Sequence, residues 1–556
     1  MTTASSCLPA RTGGQLLIAQ LLAQGVERLT CVPGESYLAA LDALYDSGVE
    51  VIACRNEGGA AMMADAYGKL TGRPGVCFVT RGPGATNASH GVHIAMQDST
   101  PMILFIGQVD RSMKEREAFQ EVDYRALFGS IAKWVVEIDS AARVPELIAR
   151  AFRVAMQGRP GPVVVALPED MLVDTASVAD APRVAPVLPW PAPHDMARLA
   201  ELLNHAQNPI AILGGSGWDA KACAAFAAFA ERAQLPVATS FRRASLFDAT
   251  HPHYAGDLGI GPDAKLRARV ENADLVLLIG GRFSEMPSSS YSILEVPLPR
   301  QKLVHVHPGA EELGRVYQPE LAIQASPRTF AAALADLTLT TPPSRVQQGA
   351  QQVQAAHADY LAWTDTPRTL PGDFQYGEVI AWLRERLPAD AIVCNGAGNY
   401  AGWLHRHYRM RQYGTQLAPT SGSMGYGVPA AVMAKRQRPG SIVVAFAGDG
   451  CFLMNGQEFA TAVQYDAAII VVVVDNGQYG TIRMHQERDY PGRVVATQLT
   501  NPDFAALARA CGGHGERVER TADFAPAFER ALASGKPAIL HCLLDARAVS
   551  HARDAA

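Results

Sequence analysis

Two stretches where apolar runs end carry residue types suited to metal and phosphate chemistry. The run SIVVAFA at 441–447 leads into Gly448-Asp449-Gly450, and after a further 24 residues a second run leads into Asp475-Asn476. As neighbouring parallel strands, the two runs set Asp449 and Asn476 side by side at one sheet edge. A carboxylate and an amide oxygen, with a backbone carbonyl beyond, suit a magnesium ion that keeps phosphate oxygens in its octahedron. Glycine at Gly450 lets an anion approach the backbone, and the amides that open the next helix face it. A lone Gly-Asp-Gly is equally an ordinary strand-to-helix turn; the second half at this spacing favours the site.

A second candidate is Glu57 in RNEGGAAMMADAYGKLTGRPGV (55–76), before a helix of small residues. Taken alone this is a plain α/β unit, in which a single Glu is more often a surface charge. RGPGATN (81–87) follows the run VCFVT and reads as a Gly/Pro loop, structural or functional. GGSG (214–217) after PIAIL has the form of a phosphate turn, which a strand–helix turn matches as well.

These residues need elements to hold them. Short continuous apolar runs such as PMILFIG (101–107), PVVVAL (162–167), ADLVLLIGG (273–281) and AAIIVVVVDN (467–476) alternate with amphipathic stretches. That is the pattern of parallel sheets covered on both faces, with ligands at the carboxyl ends of the strands. Two stretches read as linkers: APRVAPVLPWPAP (181–193), with five prolines, and 340–372, whose polar Gln/Ala-rich middle reads as helix. They predict three consecutive doubly wound α/β domains, at 12–178, 195–338 and 373–546.

A formal charge of −5 over 556 residues gives no basic surface for nucleic acid. The longest apolar run, AAIIVVVV, falls far short of the roughly 20 residues that span a bilayer, and the N-terminus reads without a leader. Nine dispersed cysteines without a Cys-x-x-Cys pair argue against disulfides or zinc and fit a reducing, cytoplasmic setting.

The Gly448–Asn476 stretch resembles the thiamine-diphosphate motif, and the likeness to acetolactate synthases extends over nearly the whole chain. It implies a pyrimidine-binding first domain, a central nucleotide-fold-like domain and a diphosphate-binding third domain. Asp449 and Asn476 then bind Mg²⁺ by their side chains and Gln478 by its backbone carbonyl, with Gly448, Gly450 and Cys451 against the cofactor. TSGSMGYGVPAA (420–431) resembles the segment before that motif, which makes Met424 the wedge that bends the cofactor and Gly422 the acceptor for its amino group. NGAGNY (395–400) resembles the loop at the terminal phosphate through Gly398, with Asn399 and Tyr400 where the family carries Gln and His. Glu57 becomes the carboxyl that protonates the aminopyrimidine, from which the cofactor generates its own base; Asn56 replaces the usual His before it.

The same likeness puts Gly34, Phe119 and His485 in the substrate pocket, Gln120 on the substrate carbonyl, and Lys133 as a further pocket residue. His485 stands where acetolactate synthases usually have Trp. The implied substrates are a pyruvate-like 2-keto acid and a second aldehyde or ketone. The implied assembly is a homodimer or a dimer of dimers, with its active site between chains. GGRFSE (280–285) resembles an FAD contact through Arg282, whereas AGDLGIGPDAKL (255–266) departs from the family pattern, so FAD stays open. An aldehyde lyase of the benzaldehyde lyase type is the alternative; a flavin or nicotinamide oxidoreductase and an inactive scaffold are readings from other classes.

Overall fold

The computed structural model describes residues 8–340 and 342–552; Cys7 and the rest of the stretch read for a leader up to it lie outside the described residues. The chain forms two compact units, Met1–Val187 and Leu188–Ala556.

The first unit is built on a six-stranded parallel sheet in the order Glu50–Ala53, Arg28–Cys31, Gly75–Val79, Met102–Gln108, Pro162–Pro168, Trp134–Glu137. The three strands read as continuous apolar runs, Gly75–Val79, Met102–Gln108 and Pro162–Pro168, are buried along their whole length, because helices cover both faces. The second unit holds two more six-stranded parallel sheets. One runs Tyr254–Leu258, Val237–Ser240, Pro209–Leu213, Leu275–Ile279, Lys302–His307, Leu321–Gln324, and the other Gln416–Leu417, Ile392–Asn395, Val443–Gly448, Ile470–Asp475, Ala538–Leu543, His514–Val518. The expected α/β architecture of three parallel sheets is therefore present.

The first and third sheets share one strand order and the central sheet has another, but all three reverse direction at their first strand. The chain first grows outward from an inner strand, then returns to that strand's other side, which leaves a crevice at the carboxyl ends where the order reverses. The glycine-bearing turns of the sequence fall there: Gly34 and Gly82 in the first sheet, Gly214 and Gly280 in the second, Gly396 and Gly448 in the third.

Inside 340–372 lies a helix, Pro343–Thr364, whose buried face includes Val353, Ala356 and Tyr360. It is bound to the central sheet, since the His357 ring hydrogen-bonds the Tyr254 carbonyl at 2.9 Å and the Tyr360 ring meets Tyr254 edge-on.

Two helices of the first unit follow the candidate stretches at Glu57 and Gly82, Glu57–Thr71 and Pro83–Asp98. They pack closely because small residues meet: a Cβ built on Gly91 would lie 2.4 Å from Ala61 Cβ. A side chain at Gly91 would also press on the Ala61–Met62 backbone, so Gly91→Val is expected to cost about 1–3 kcal/mol by overpacking. A urea or thermal melt checks this; an unchanged midpoint would contradict the packing described.

Candidate active site

In the third sheet, the register pairs Gly448 with Val474, which brings Asp449 and the Asp475-Asn476 end together as the spacing predicts. Asp449 opens the helix Asp449–Asn455 and is 3% exposed. Its Oδ2 accepts from the Gln478 amide at 3.2 Å and from Asn501 Nδ2 at 2.7 Å. The same Asn501 amide group donates to Asp475 Oδ1 at 2.8 Å, and His541 donates to Asp475 Oδ2 at 2.9 Å. Burial pushes the Asp449 carboxyl up to about 6; the Asn501 and Gly450 donors oppose this, and the Asp475 charge adds to it. Burial also opposes ionisation of Asp475, yet hydrogen bonds from His541, Asn501 and the Gly477 amide hold it below the ordinary carboxylate value.

Among the described residues no three His, Cys, Asp or Glu side chains form a metal cluster. The oxygen set of Asp449, half-buried Asn476 and the Gln478 carbonyl is of another kind, drawing two of its three members from amides. Sequence reasoning missed Asn501 and His541, because the link between NPDF at 501–504 and the strand ends exists only after folding.

The glycines have separate tasks. Gly422 has positive φ and open space where a Cβ would stand, and the buried Ser421 hydroxyl beside it lacks a partner among the described residues. An open glycine next to an orphaned hydroxyl suits a bound polar ligand. Half-buried Met424 lies between Gly422 and Gly425, both at positive φ. Gly450 is closed instead, for its Cβ would meet the Tyr479 ring at 2.5 Å, so glycine there also serves packing.

Tyr400 is buried with its ring against Gly398 and Gly448, while its hydroxyl accepts from the Gly396 amide at 2.9 Å and bonds Cys451 Sγ at 3.2 Å. Asn399 donates through Nδ2 to the Val549 carbonyl at 2.7 Å, and its amide donates to Thr481 Oγ1 at 2.9 Å. Both side chains thus brace the loop. His485 is exposed on the helix Gly480–Asp489.

In the first unit, Glu57 begins its helix and Asn56 caps it, accepting from the Gly58 amide at 2.8 Å. Glu57 Oε2 accepts from Asn87 Nδ2 at 3.0 Å. Gly82, at positive φ, lies against Gln120: a Cβ there would come within 2.9 Å of both Gln120 Cβ and its carbonyl oxygen. Gln120 itself has φ of 64°, a conformation non-glycine residues avoid unless their surroundings fix it. Arg81 supplies part of that fixation, with Nε on the Phe119 carbonyl at 3.2 Å and the guanidinium on Glu169 at 2.9 Å and Glu35 at 3.5 Å. Phe119 is 72% exposed. Gly34 needs its missing Cβ because Thr80 Cβ would lie 2.4 Å away. Lys133 departs from the pocket reading: its ammonium donates to the Val154 and Gln157 carbonyls, each at 2.6 Å, closing the end of the helix Val144–Met156.

The central crevice differs. A Cβ on Gly215 would lie 1.7 Å from the Gly280 oxygen, and buried Trp218 donates its indole N–H to Gly214 at 2.9 Å. The next helix, Ala220–Ala233, is capped by Asp219, which also pairs with Arg328 at 3.1 Å. Half-buried Arg282 follows the strand Leu275–Ile279.

With this geometry in place, comparison with known proteins is direct. Three thiamine pyrophosphate enzyme signatures match in order: the N-terminal TPP binding domain over 11–127, the central domain over 196–334, and the C-terminal TPP binding domain over 396–542. The chain is 32% identical to the acetolactate synthase isozyme 2 large subunit of Escherichia coli, over 96% of this chain and 95% of that one. It is 33% identical to the acetolactate synthase large subunit of Parasynechococcus marenigrum (91% and 83% covered) and 31% to that of Corynebacterium glutamicum (95% and 86%). The chain belongs to the acetolactate synthase large-subunit family of thiamine-diphosphate-dependent enzymes.

The cap explains one departure from the family pattern. Removing it in Asn56→Ala is expected to cost about 1 kcal/mol of stability, read as a lower denaturation midpoint. Asn56→Asp, which keeps a capping oxygen, is expected to hold the midpoint.

Proposed function

We propose that the chain decarboxylates a pyruvate-like 2-keto acid and joins the remaining fragment to a second carbonyl compound. The observation that carries this is the strand-end set at the third crevice, where buried Asp449 lies beside the Gln478 backbone and Asn476. Asp449, Asn476 and the Gln478 carbonyl would hold Mg²⁺, and the Gly396–Gly398 loop and Gly448 would receive the diphosphate. Thiamine diphosphate supplies the electron sink for cleavage beside a carbonyl. Glu57 would exchange a proton with the aminopyrimidine nitrogen, Met424 would press the rings together, and the Gly422 carbonyl would accept from the amino group. Gln120, held in its strained backbone by Gly82 and Arg81, would donate to the substrate carbonyl, with Gly34 and exposed Phe119 and His485 at the pocket rim.

Glu35 and Ser36 stand where lyases of the benzaldehyde lyase type use His, and Glu35 is engaged by Arg81 while Ser36 hydrogen-bonds Thr80 at 2.9 Å. This weighs against the lyase. The central crevice weighs against FAD, and with it an oxidoreductase. A carboxylate already sits on the helix terminus where a pyrophosphate would lie. Arg282 is then left without a nucleotide to contact.

Association of identical chains, as a dimer or dimer of dimers, would cover exposed apolar side chains such as Phe119. Among the described residues no helix is long and apolar enough to cross a membrane. The eight described cysteines are unpaired by disulfides, and six are buried, which supports a reducing compartment such as the cytosol.

The test is a panel of 2-keto acids and aldehydes with thiamine diphosphate and Mg²⁺, read by mass spectrometry. Carbon dioxide and an acyloin-type product from pyruvate are expected, by a colourless protein whose rate ignores added FAD. Cleavage of 2-hydroxy ketones without keto-acid decarboxylation would reverse the assignment. Asn501→Ala is expected to raise the Mg²⁺ concentration for half-maximal rate about 10–100-fold, the usual effect of losing a group that orients a metal ligand. An unchanged Mg²⁺ dependence would remove Asp449 from the metal site.

A further inference from the structure

The third sheet's loops are tied to the central sheet by one residue that no motif marks, Arg242. It follows the strand Val237–Ser240, is 4% exposed, and has φ of 58°. Its guanidinium stands 4.8 Å from the Phe241 ring centre. One arm donates to the Gly396 carbonyl at 2.9 Å, and the other donates to the Pro419 carbonyl.

Those two carbonyls belong to opposite ends of the cofactor cradle. Gly396 begins the turn that Tyr400 braces and that Gly398 continues toward the diphosphate. Asn395 adds a second donor to the Gly396 carbonyl at 2.8 Å. Pro419 begins the other loop: its carbonyl also accepts from the Gly422 amide at 3.1 Å, fixing the turn that holds Gly422 and Met424. A planar guanidinium bonded to both carbonyls sets the distance between the loops, because its donors have fixed spacing and direction. A cofactor that must be bent between its rings and its diphosphate gains from such a fixed span, since a small misplacement costs much of the proximity effect. A non-glycine residue held buried in the left-handed region is the kind of strain that surrounding structure preserves at functional positions.

We propose that Arg242 is a positioning residue for thiamine diphosphate, holding the Gly396 and Pro419 loops at the separation the bent cofactor requires. This rests on the cofactor assignment above. It also gives the central domain a part in catalysis that needs no nucleotide of its own.

The experiment compares two probes on the full chain in saturating Mg²⁺, by quenching of intrinsic fluorescence or calorimetry. Thiamine diphosphate spans both loops, whereas inorganic pyrophosphate touches the diphosphate end alone. Arg242→Met is expected to weaken thiamine diphosphate about tenfold or more, the loss of at least one charge-assisted hydrogen bond, while pyrophosphate binding changes by less than about threefold. Arg242→Lys, which keeps the cation but reaches one carbonyl, is expected to show the same split to a smaller degree and serves if the Met variant does not fold. Equal weakening of both probes would mean a general structural role, and unchanged binding of both would mean none; either overturns the proposal. Should the unsubstituted chain bind pyrophosphate but not thiamine diphosphate, the cofactor assignment itself falls, and this inference with it.

Discussion

One amide group holds the chemistry of the third sheet together. Asn501 Nδ2 donates at once to Asp449 and Asp475, two carboxylates that end neighbouring strands. Like charges this close would otherwise repel and raise each other's proton affinity. The donor between them, with His541 behind Asp475, keeps both in place and leaves Asp449 a buried carboxylate. The adjacent Asn476 and the Gln478 backbone follow from the same strand end, so the proposed cation site would depend on two strands being in register and one loop folding back across them.

The same logic, loops braced from behind, runs through the molecule. Tyr400 fills the space beside Gly398 and Gly448 where the family carries His, and its hydroxyl reaches Gly396 and Cys451. Arg81, at the start of the Gly/Pro loop, reaches the Phe119 carbonyl, next to strained Gln120. Asn56 replaces His before Glu57 and becomes a helix cap. These departures alter how the loops are held more than which groups they present. His485 is different: it lies exposed on its helix and braces no loop.

The fold was readable wherever strands are buried on both faces. VCFVT, PMILFIG, PVVVAL and AAIIVVVVDN all became strands, since such runs have no amphipathic alternative. The short inner strand Arg28–Cys31, with Arg and Thr among its four residues, and the part-exposed edge strand His514–Val518 carry mixed residues and give no such pattern. At the candidate site, Asp449 and Asn476 stand out because motif spacing and strand ends coincide, whereas Glu57 stands out only by the family resemblance. Asn501, His541 and Arg242 do not, because their hydrogen bonds join residues far apart in the sequence. Lys133 was misleading for a related reason: whether a lysine faces a pocket or closes a helix end is decided by a neighbour that sequence does not place.

Glu57, opening its helix beside Asn87, is proposed to activate a cofactor held by the third sheet. Exchange of the thiazolium C2 proton into deuterium oxide, followed by quenched-flow NMR on the protein loaded with thiamine diphosphate and Mg²⁺, tests it directly. The unsubstituted chain should exchange far faster than free cofactor, and Glu57→Gln, still binding the cofactor, should lose about 10²–10⁴-fold of that rate. A Glu57→Gln protein that binds thiamine diphosphate and exchanges as fast as its parent would contradict the account.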